Sequence, residues 1–290
     1  MISDCVDLHT HSTASDGSLS PPQLINLAAK IGLKAISITD HDTIEGCVEA
    51  LDTAVYPPLE VVPGVEISAD VRSGGMHLLG YLISLGDSDL TRLLGRLQEG
   101  REKRNQEMVR RLNDLGVDII YDEVLSASGG GQTGRPHFAA TLMNKGVVRS
   151  FNEAFIKYLG RDCPAYVGRF RPAPEEAIHA IRGAGGVAVL AHPSTLERAV
   201  PHTFESVLRD LTEQGLQGME VYYPDHGPRK TARYEALARR YKLVATGGTD
   251  FHGQAKPGIY MGVGRGEMRI PYTVVETLKA CRRENTTGLP

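Results

Sequence analysis

Residues 6–12 read Val6-Asp7-Leu8-His9-Thr10-His11-Ser12. The apolar start is that of a short strand, and side chains alternate along a strand with a period of two. His9 and His11 therefore point the same way at the strand's C-terminal end. The arrangement recurs. Ala35–Thr39 reads as a strand followed by Asp40-His41-Asp42, Glu60–Glu66 as one ending in Glu66, and Met76–Tyr81 as one carrying His77, reached by the turn Ser73-Gly74-Gly75. Gly186–Ala191 leads to His192, Gly218–Tyr223 is a further strand, and Leu243–Gly247 runs into Gly248-Thr249-Asp250-Phe251-His252.

Helical segments fit between these strands. Ser20-Pro21-Pro22-Gln23 has a capping residue, proline in the first turn and glutamine at the capping-box position. Leu24, Ile25, Leu27, Ala28 and Ile31 then form one apolar face before Gly32. Further helices are predicted over Thr43–Ala54, Pro174–Arg182, Thr203–Glu213 and Pro228–Arg240. Seven strands with interleaved helices predict a parallel α/β fold. An open sheet would spread the histidines and carboxylates along a line. A closed or nearly closed barrel brings strand ends to one point, so a barrel is expected.

Between about 87 and 171 the rhythm changes. A long helical pattern covers Asp89–Leu115, followed by Asp122-Glu123-Val124, a glycine-rich loop Ser128–Gly131, and helical segments near 136–145 and 151–159. Residues 100–168 are expected to form a helical insertion capping the mouth of a barrel made of residues 1–99 and 169–290. Asn285–Gly288 reads as a frayed tail.

Composition narrows the function classes. The chain has 290 residues, with 32 basic and 35 acidic residues and a formal charge of −3. That balance argues against a general nucleic-acid coat and leaves room for a local basic pocket. No apolar run reaches the roughly 18 residues of a membrane span. The N-terminus has no basic segment followed by an apolar one, so a cytoplasmic protein is expected. The cysteines, Cys5, Cys47, Cys163 and Cys281, form no CxxC pair, which argues against a disulfide framework or zinc knuckle. No P-loop, Rossmann or Ser-His-Asp signature occurs. Nothing points to an obligate protein partner.

The strand-end residues are His9, His11, Asp16, His41, Glu66, His77, His192, Asp250 and His252. A single histidine at a strand end is usually solvent-facing or capped, and Asp40 or Asp42 could simply cap the next helix. The joint pattern, in a chain with 10 histidines, points to metal. Imidazoles and carboxylates without thiolates suit Mn²⁺, Zn²⁺ or Fe²⁺, with Mn²⁺ the expected ion. There are more donors than one ion can use, so two or three divalent ions are expected, with Glu66 or Asp250 able to bridge.

Asp7-Leu8-His9-Thr10-His11-Ser12, Thr39-Asp40-His41-Asp42, Pro63-Gly64-Val65-Glu66-Ile67, Leu190-Ala191-His192-Pro193 and Gly248-Thr249-Asp250-Phe251-His252 resemble the motifs of the polymerase-and-histidinol-phosphatase (PHP) family. The resemblance covers most of the chain. It implies the PHP fold, a distorted (β/α)₇ TIM-like barrel, and a trinuclear metal site. One ion would take His9, His11, Glu66 and Asp250, a second Glu66, His77 and His192, and a third Asp16, His41 and His252. Some PHP branches carry histidine where Asp16 stands. Adjacent divalent ions suit phosphoester hydrolysis, because they make hydroxide available near neutral pH and neutralise phosphoryl charge.

Substrate choice is expected from the insertion. Leu90, Leu94, Leu97, Arg101, Arg104, Met108 and Leu112 recur at helical spacing, which places two arginines on an otherwise apolar stripe. Inward arginines need anionic partners, and guanidinium suits phosphate. The alternative is a solvated basic stretch of helix. Gly134-Arg135-Pro136-His137 places Arg135 just before a helix, the alternative being an ordinary loop. Both segments, with Glu220–His226, resemble one PHP branch, the 3′,5′-nucleoside bisphosphate phosphatases, which overlap with a 5′-to-3′ exoribonuclease group. The resemblance implies that Arg101, Arg104, Arg135 and His137 contact a distal phosphate while the 3′-phosphate is hydrolysed. Trimming of short RNA is a related expectation. His226 is a candidate to protonate the leaving oxygen; a structural role is the alternative. Histidinol-phosphate phosphatase is the second enzymatic reading, disfavoured by the arginines. A non-catalytic structural PHP module is the reading from another class.

Overall fold

A computed structural model describes residues 4–53, 59–71, 74–128 and 131–287. Strands β1 (Val6–Thr10), β2 (Ala35–Ile38) and β3 (Glu60–Val61) form a parallel three-stranded sheet. Strands β4 (Gly64–Val71), β5 (Gly74–Tyr81), β6 (Val187–Leu190), β7 (Gly218–Tyr222) and β8 (Val244–Gly247) form a second sheet in that order. The β4–β5 and β5–β6 pairs are antiparallel, whereas β6–β7 and β7–β8 are parallel.

The fold is mixed α/β, and among the described residues its strands make two sheets, not one closed parallel ring. The expected strand Glu60–Glu66 is where the difference arises. It breaks after Val61, because Pro63 has no amide to donate to a ladder. β3 pairs with β2, while β4 starts the other sheet and returns antiparallel as β5. Single bridges still join the sheets, His41 with Glu66 and Thr10 with Phe251. Both lie at the ends that carry the predicted donors.

Helices α1 (Pro21–Ile31) and α2 (Glu45–Leu51) flank the small sheet. Ser20 and Gln23 make the expected capping box, and Gly32 ends α1 with φ 86°, a left-handed conformation that glycine adopts without strain. α2 is shorter than the predicted Thr43–Ala54; Ala54 lies outside the described residues, as do Ser73 of the predicted turn and Gly129 and Gly130 of the glycine-rich loop. Gly74 and Gly75 already belong to β5.

Helix α3 (Ser88–Asp114) is followed by α4 (Tyr121–Ser128), α5 (Arg135–Asn144) and α6 (Phe151–Ala154), which runs on as one π-helical turn to Leu159. α7 (Pro174–Gly183), α8 (Pro193–Ala199), α9 (Phe204–Glu213) and α10 (Pro228–Arg240) accompany the larger sheet. The C-terminal segment is α11 (Thr273–Thr287). The predicted frayed tail is thus helical through Thr287, with Gly288 outside the described residues. Val274, Val275 and Leu278 anchor α11 by packing with Val6, Leu79 and Val189. Their helical spacing was the signal for it. Among the described residues no helix is long and apolar enough to cross a membrane.

α3 serves two cores. Its first half buries Leu90, Leu93, Leu94 and Leu97 against the main core, with Ile178 and Ile181 of α7. Its second half buries Met108 and Leu112 in a separate cluster with Phe138, Leu142 and Leu159. Each such buried side chain contributes about 1.5–3 kcal/mol. Arg101, Arg104 and Asn105 occupy the gap between the two cores, and all are buried.

Candidate metal centre

The predicted donors converge. Around Glu66, His41 Nδ1 lies 2.7 Å and His77 Nδ1 2.9 Å from the carboxylate, and His192 Nε2 lies 3.1 Å away. His9 Nε2 and His11 Nε2 approach the same carboxylate at 3.5 and 3.4 Å and Asp250 Oδ1 at 3.5 and 3.2 Å. Asp16 meets His252 Nε2 at 3.2 Å, His41 Nε2 at 3.7 Å and His11 Nδ1 at 3.8 Å.

These contacts resolve into three donor groups compact enough to hold an ion. They are His9, His11 and Asp250; His41, Glu66 and His77; and His11, Asp16, His41 and His252. His41 and His11 each belong to two groups. The donor chemistry fits divalent ions. His9 Nε2 and His11 Nε2 are buried without a hydrogen-bond partner and face Glu66 and Asp250, an arrangement that is costly without an ion.

Electrostatics follow from this crowding. Burial would lower His41, but Glu66 and Asp16 outweigh it and push its pKa up to about 9. His11 goes the other way, to about 3, through burial and the neighbouring His252 and His41. Glu66 is held well below the usual carboxylate range: burial opposes this, and His77, His41 and His9 prevail.

A second tier of carboxylates holds the donors. Glu220 is fully buried; it lies 2.9 Å from His9 Nδ1 and accepts the His192 amide at 2.6 Å. Asp7 accepts from Thr249 and the Gly262 amide, fixing the segment that carries Asp250. Burial raises the Asp7 pKa to about 6 against these bonds. Asp40 is held by Ser12 and Ser15. Asp250 turns Oδ2 to Tyr223 at 2.9 Å and Lys256 at 2.6 Å, leaving Oδ1 toward the histidines. Asp42, His192 and Asp250 have φ of 57°, 27° and 53°, the left-handed region that such residues rarely adopt. Backbone strain of this kind concentrates at functional sites.

A cavity of about 200 Å³ runs from Asp16, His41 and His77 to Arg101, Arg104, Arg135, Arg169 and Arg171. Asp42 pairs with Arg101 and, at 3.0 Å, with Arg169. Among the described residues Arg104 has no acidic partner, and burial together with Arg101 and Arg169 holds its pKa well below the usual guanidinium value. Arg135 lies 5.6 Å from the ring centroids of both Phe155 and Tyr166.

A PHP domain matches residues 7–157, just over half of the chain. The chain belongs to the PHP domain family. Among PHP relatives, a 3′,5′-nucleoside bisphosphate phosphatase of Chromobacterium violaceum is 32% identical, over 89% of this chain and 90% of its own. A 5′-3′ exoribonuclease of Haemophilus influenzae is 35% identical, over 85% and 89%. A solved structure from Bifidobacterium adolescentis, assigned as a metal-dependent phosphoesterase, superposes with a TM-score of 0.83 at 30% identity, covering 95% of this PHP chain and 96% of that one.

Within this PHP chain the predicted residues have different surroundings. Arg101, Arg104 and Arg135 line the cavity. His137 does not: it is buried at the start of α5, where its Nδ1 accepts the Gly134 amide at 2.9 Å. His226 is also buried away from the cavity, with Nδ1 2.8 Å from the Val221 carbonyl and its ring against Tyr223 and Tyr234. Glu220, Arg169 and Arg171 were missed by the sequence reading. Glu220 opens the Glu220–His226 segment that resembles the branch, and its charge inside an apolar strand was the signal for a role of its own. Arg169-Phe170-Arg171 carries the period of an extended segment, which would put both arginines on one side.

Proposed function

We propose that this chain is a metal-dependent phosphoesterase that removes the 3′-phosphate of nucleoside 3′,5′-bisphosphates. The observation that carries this reading is a cavity lined at one end by Asp16, His41 and His77 of the donor cluster and at the other by the arginines, beside a second cavity that shares those three residues and opens on Glu66, His192, Asp250 and His252. The same chemistry would trim short 5′-phosphorylated RNA.

His9, His11, Asp16, His41, Glu66, His77, His192, Asp250 and His252 would hold two or three divalent ions, with Mn²⁺ as our assignment. Such ions lower the pKa of coordinated water and neutralise phosphoryl charge. The chain's own residues do the rest. Glu220 orients His9, Asp7 orients the Asp250 segment, and Lys256 lies beside Asp250 at the cavity that opens on the donors. Arg101, Arg104 and Arg135, joined by Arg169 and Arg171, would hold the distal phosphate through charge-assisted bonds. His137 supports this end by fixing the start of α5 behind Arg135. We assign no proton transfer to His226, whose surroundings favour the structural role.

We also assign residues 1–99 and 169–290 to a metal-binding unit in which the two sheets act as a distorted barrel. Residues 100–168 form its cap, supported by their separate apolar cluster. Histidinol phosphate, with a cationic amine, would meet the arginines unfavourably.

The test supplies purified protein and Mn²⁺ with adenosine 3′,5′-bisphosphate, histidinol phosphate or a 5′-phosphorylated oligoribonucleotide, and measures released phosphate and nucleotide. Phosphate from the bisphosphate is expected. Turnover of histidinol phosphate alone would sink the reading.

A further inference from the structure

Asp42 lies behind the cavity wall and is bonded to residues at both of its ends. It follows His41 in the chain, and its amide donates to the Glu66 carbonyl at 2.8 Å. Its side chain turns toward the arginines. Oδ2 pairs with Arg101 and, at 3.0 Å, with Nη2 of Arg169, while Oδ1 accepts the Ser68 amide at 2.8 Å. Arg169 Nη2 also donates to Ser68 Oγ at 2.8 Å. The Asp42 carbonyl accepts from Gln98 of α3 at 3.1 Å and from Gln132 at 3.4 Å. One fully buried residue thus joins the donor end, strand β4, the long helix and the segment returning from the insertion.

An ordinary helix-capping role does not account for this. α2 begins at Glu45, and the Glu45 amide donates to Thr43 Oγ1, not to Asp42. Two guanidinium groups side by side repel, and each has several rotatable bonds. A carboxylate between them removes the repulsion and fixes both rotamers. Arg101 Nε, Arg104 Nε and Arg169 Nη1 remain buried without an acceptor, so donors are left over for a ligand.

We infer that Asp42 is a positioning residue that sets the span between the metal-ligating end and the arginines, and so selects substrates carrying two phosphates at that span. The inference rests on the function proposed above. Preorganisation of this kind acts on binding of the distal group, because the arginines need not be reordered when substrate arrives.

The experiment compares steady-state kinetics of Asp42→Asn and wild type on adenosine 3′,5′-bisphosphate and adenosine 3′-monophosphate, with bound Mn²⁺ measured in both. Asparagine keeps the shape and the acceptor for Ser68 but removes the charge. Expected is a rise in KM for the bisphosphate of about tenfold or more with kcat changed less than about threefold, and loss of about tenfold in preference over the monophosphate. An unchanged preference overturns the inference, and so does an equal loss on both substrates. If Asp42→Asn does not fold, Arg169→Gln carries the test: it removes one of the two groups that Asp42 holds, and an unchanged KM for the bisphosphate overturns the inference. A wild-type protein with no preference for the bisphosphate sinks the proposed function itself. A preference that survives substitution sinks only the role of Asp42.

Discussion

His9 Nδ1 lies 2.9 Å from Oε1 of Glu220, a buried contact between residues 211 positions apart. A carboxylate only accepts, so Nδ1 carries a proton and Nε2, which faces Glu66 and Asp250, is the nitrogen left to bind an ion. Glu220→Gln keeps the volume and removes this control of the tautomer. Metal affinity, read by titration of the metal-free protein, should fall by about 10–100-fold. An unaltered titration would show that Glu220 only packs.

Gly248 supports the same imidazole from behind. A Cβ there would stand 2.2 Å from the Cβ of His9 and 2.4 Å from its amide nitrogen. Backbone at that distance cannot give way cheaply. Gly248→Ala should displace His9, lower bound metal and reduce phosphoesterase turnover by about tenfold or more, since small misplacements at a reacting centre have effects of this size. Full metal content with full turnover would contradict it.

Arg104 is a buried guanidinium at the cavity, and among the described residues it has no acidic partner. Arg104→Ala should raise KM for the bisphosphate by over about tenfold and leave kcat within a few-fold. Removing buried positive charge from an arginine cluster also relieves repulsion, so the melting temperature without ligand should hold or rise. A fall in kcat at constant KM would move Arg104 out of the binding role.

Metal binding should compete with protons. In the metal-free protein His41 titrates at about 9, so below that pH a proton occupies a donor nitrogen that an ion must displace. Apparent metal affinity should therefore rise as pH increases from 6 toward 9, by up to about tenfold per unit for each proton released. Isothermal titration in buffers of different ionisation enthalpy measures that release directly. An affinity independent of pH over this range would refute the competition. The metal-free protein itself should behave in the opposite sense. The folded-state His41 value lies above the unfolded 6.5, so its stabilising contribution is complete below 6.5 and is lost as pH rises through 9.

Phe138 tests whether the insertion has a core of its own. It is fully buried in the cluster with Met108, Leu112 and Leu142, which contains no strand residue. Phe138→Ala should cost about 3–5 kcal/mol locally. Hydrogen exchange should then quicken over α4 and α5 before it does over β4–β8. Uniform loss of protection across the molecule would mean that the two clusters unfold as one.

Local chemistry was legible in the sequence by itself. The alternation in Asp7–His11 put His9 and His11 on one side, and the apolar stripe of α3 showed where Arg101 and Arg104 interrupt it. Both readings follow from fixed periods of 2.0 and 3.6 residues, which need no tertiary information. Strand direction and partnership were not legible. Pro63 could be read as a break, but the antiparallel return of β5 depends on which edge β4 finds. The same limit applies to the site. That His41 faces both Glu66 and Asp16, that Glu220 holds His9, and that Asp42 holds Arg101 and Arg169 are contacts between distant segments. The sequence determined which donors and charges this protein carries. Only the tertiary structure decided which of them share a few ångströms, because hydrogen bonds and ion pairs depend on distance in space and not on separation along the chain.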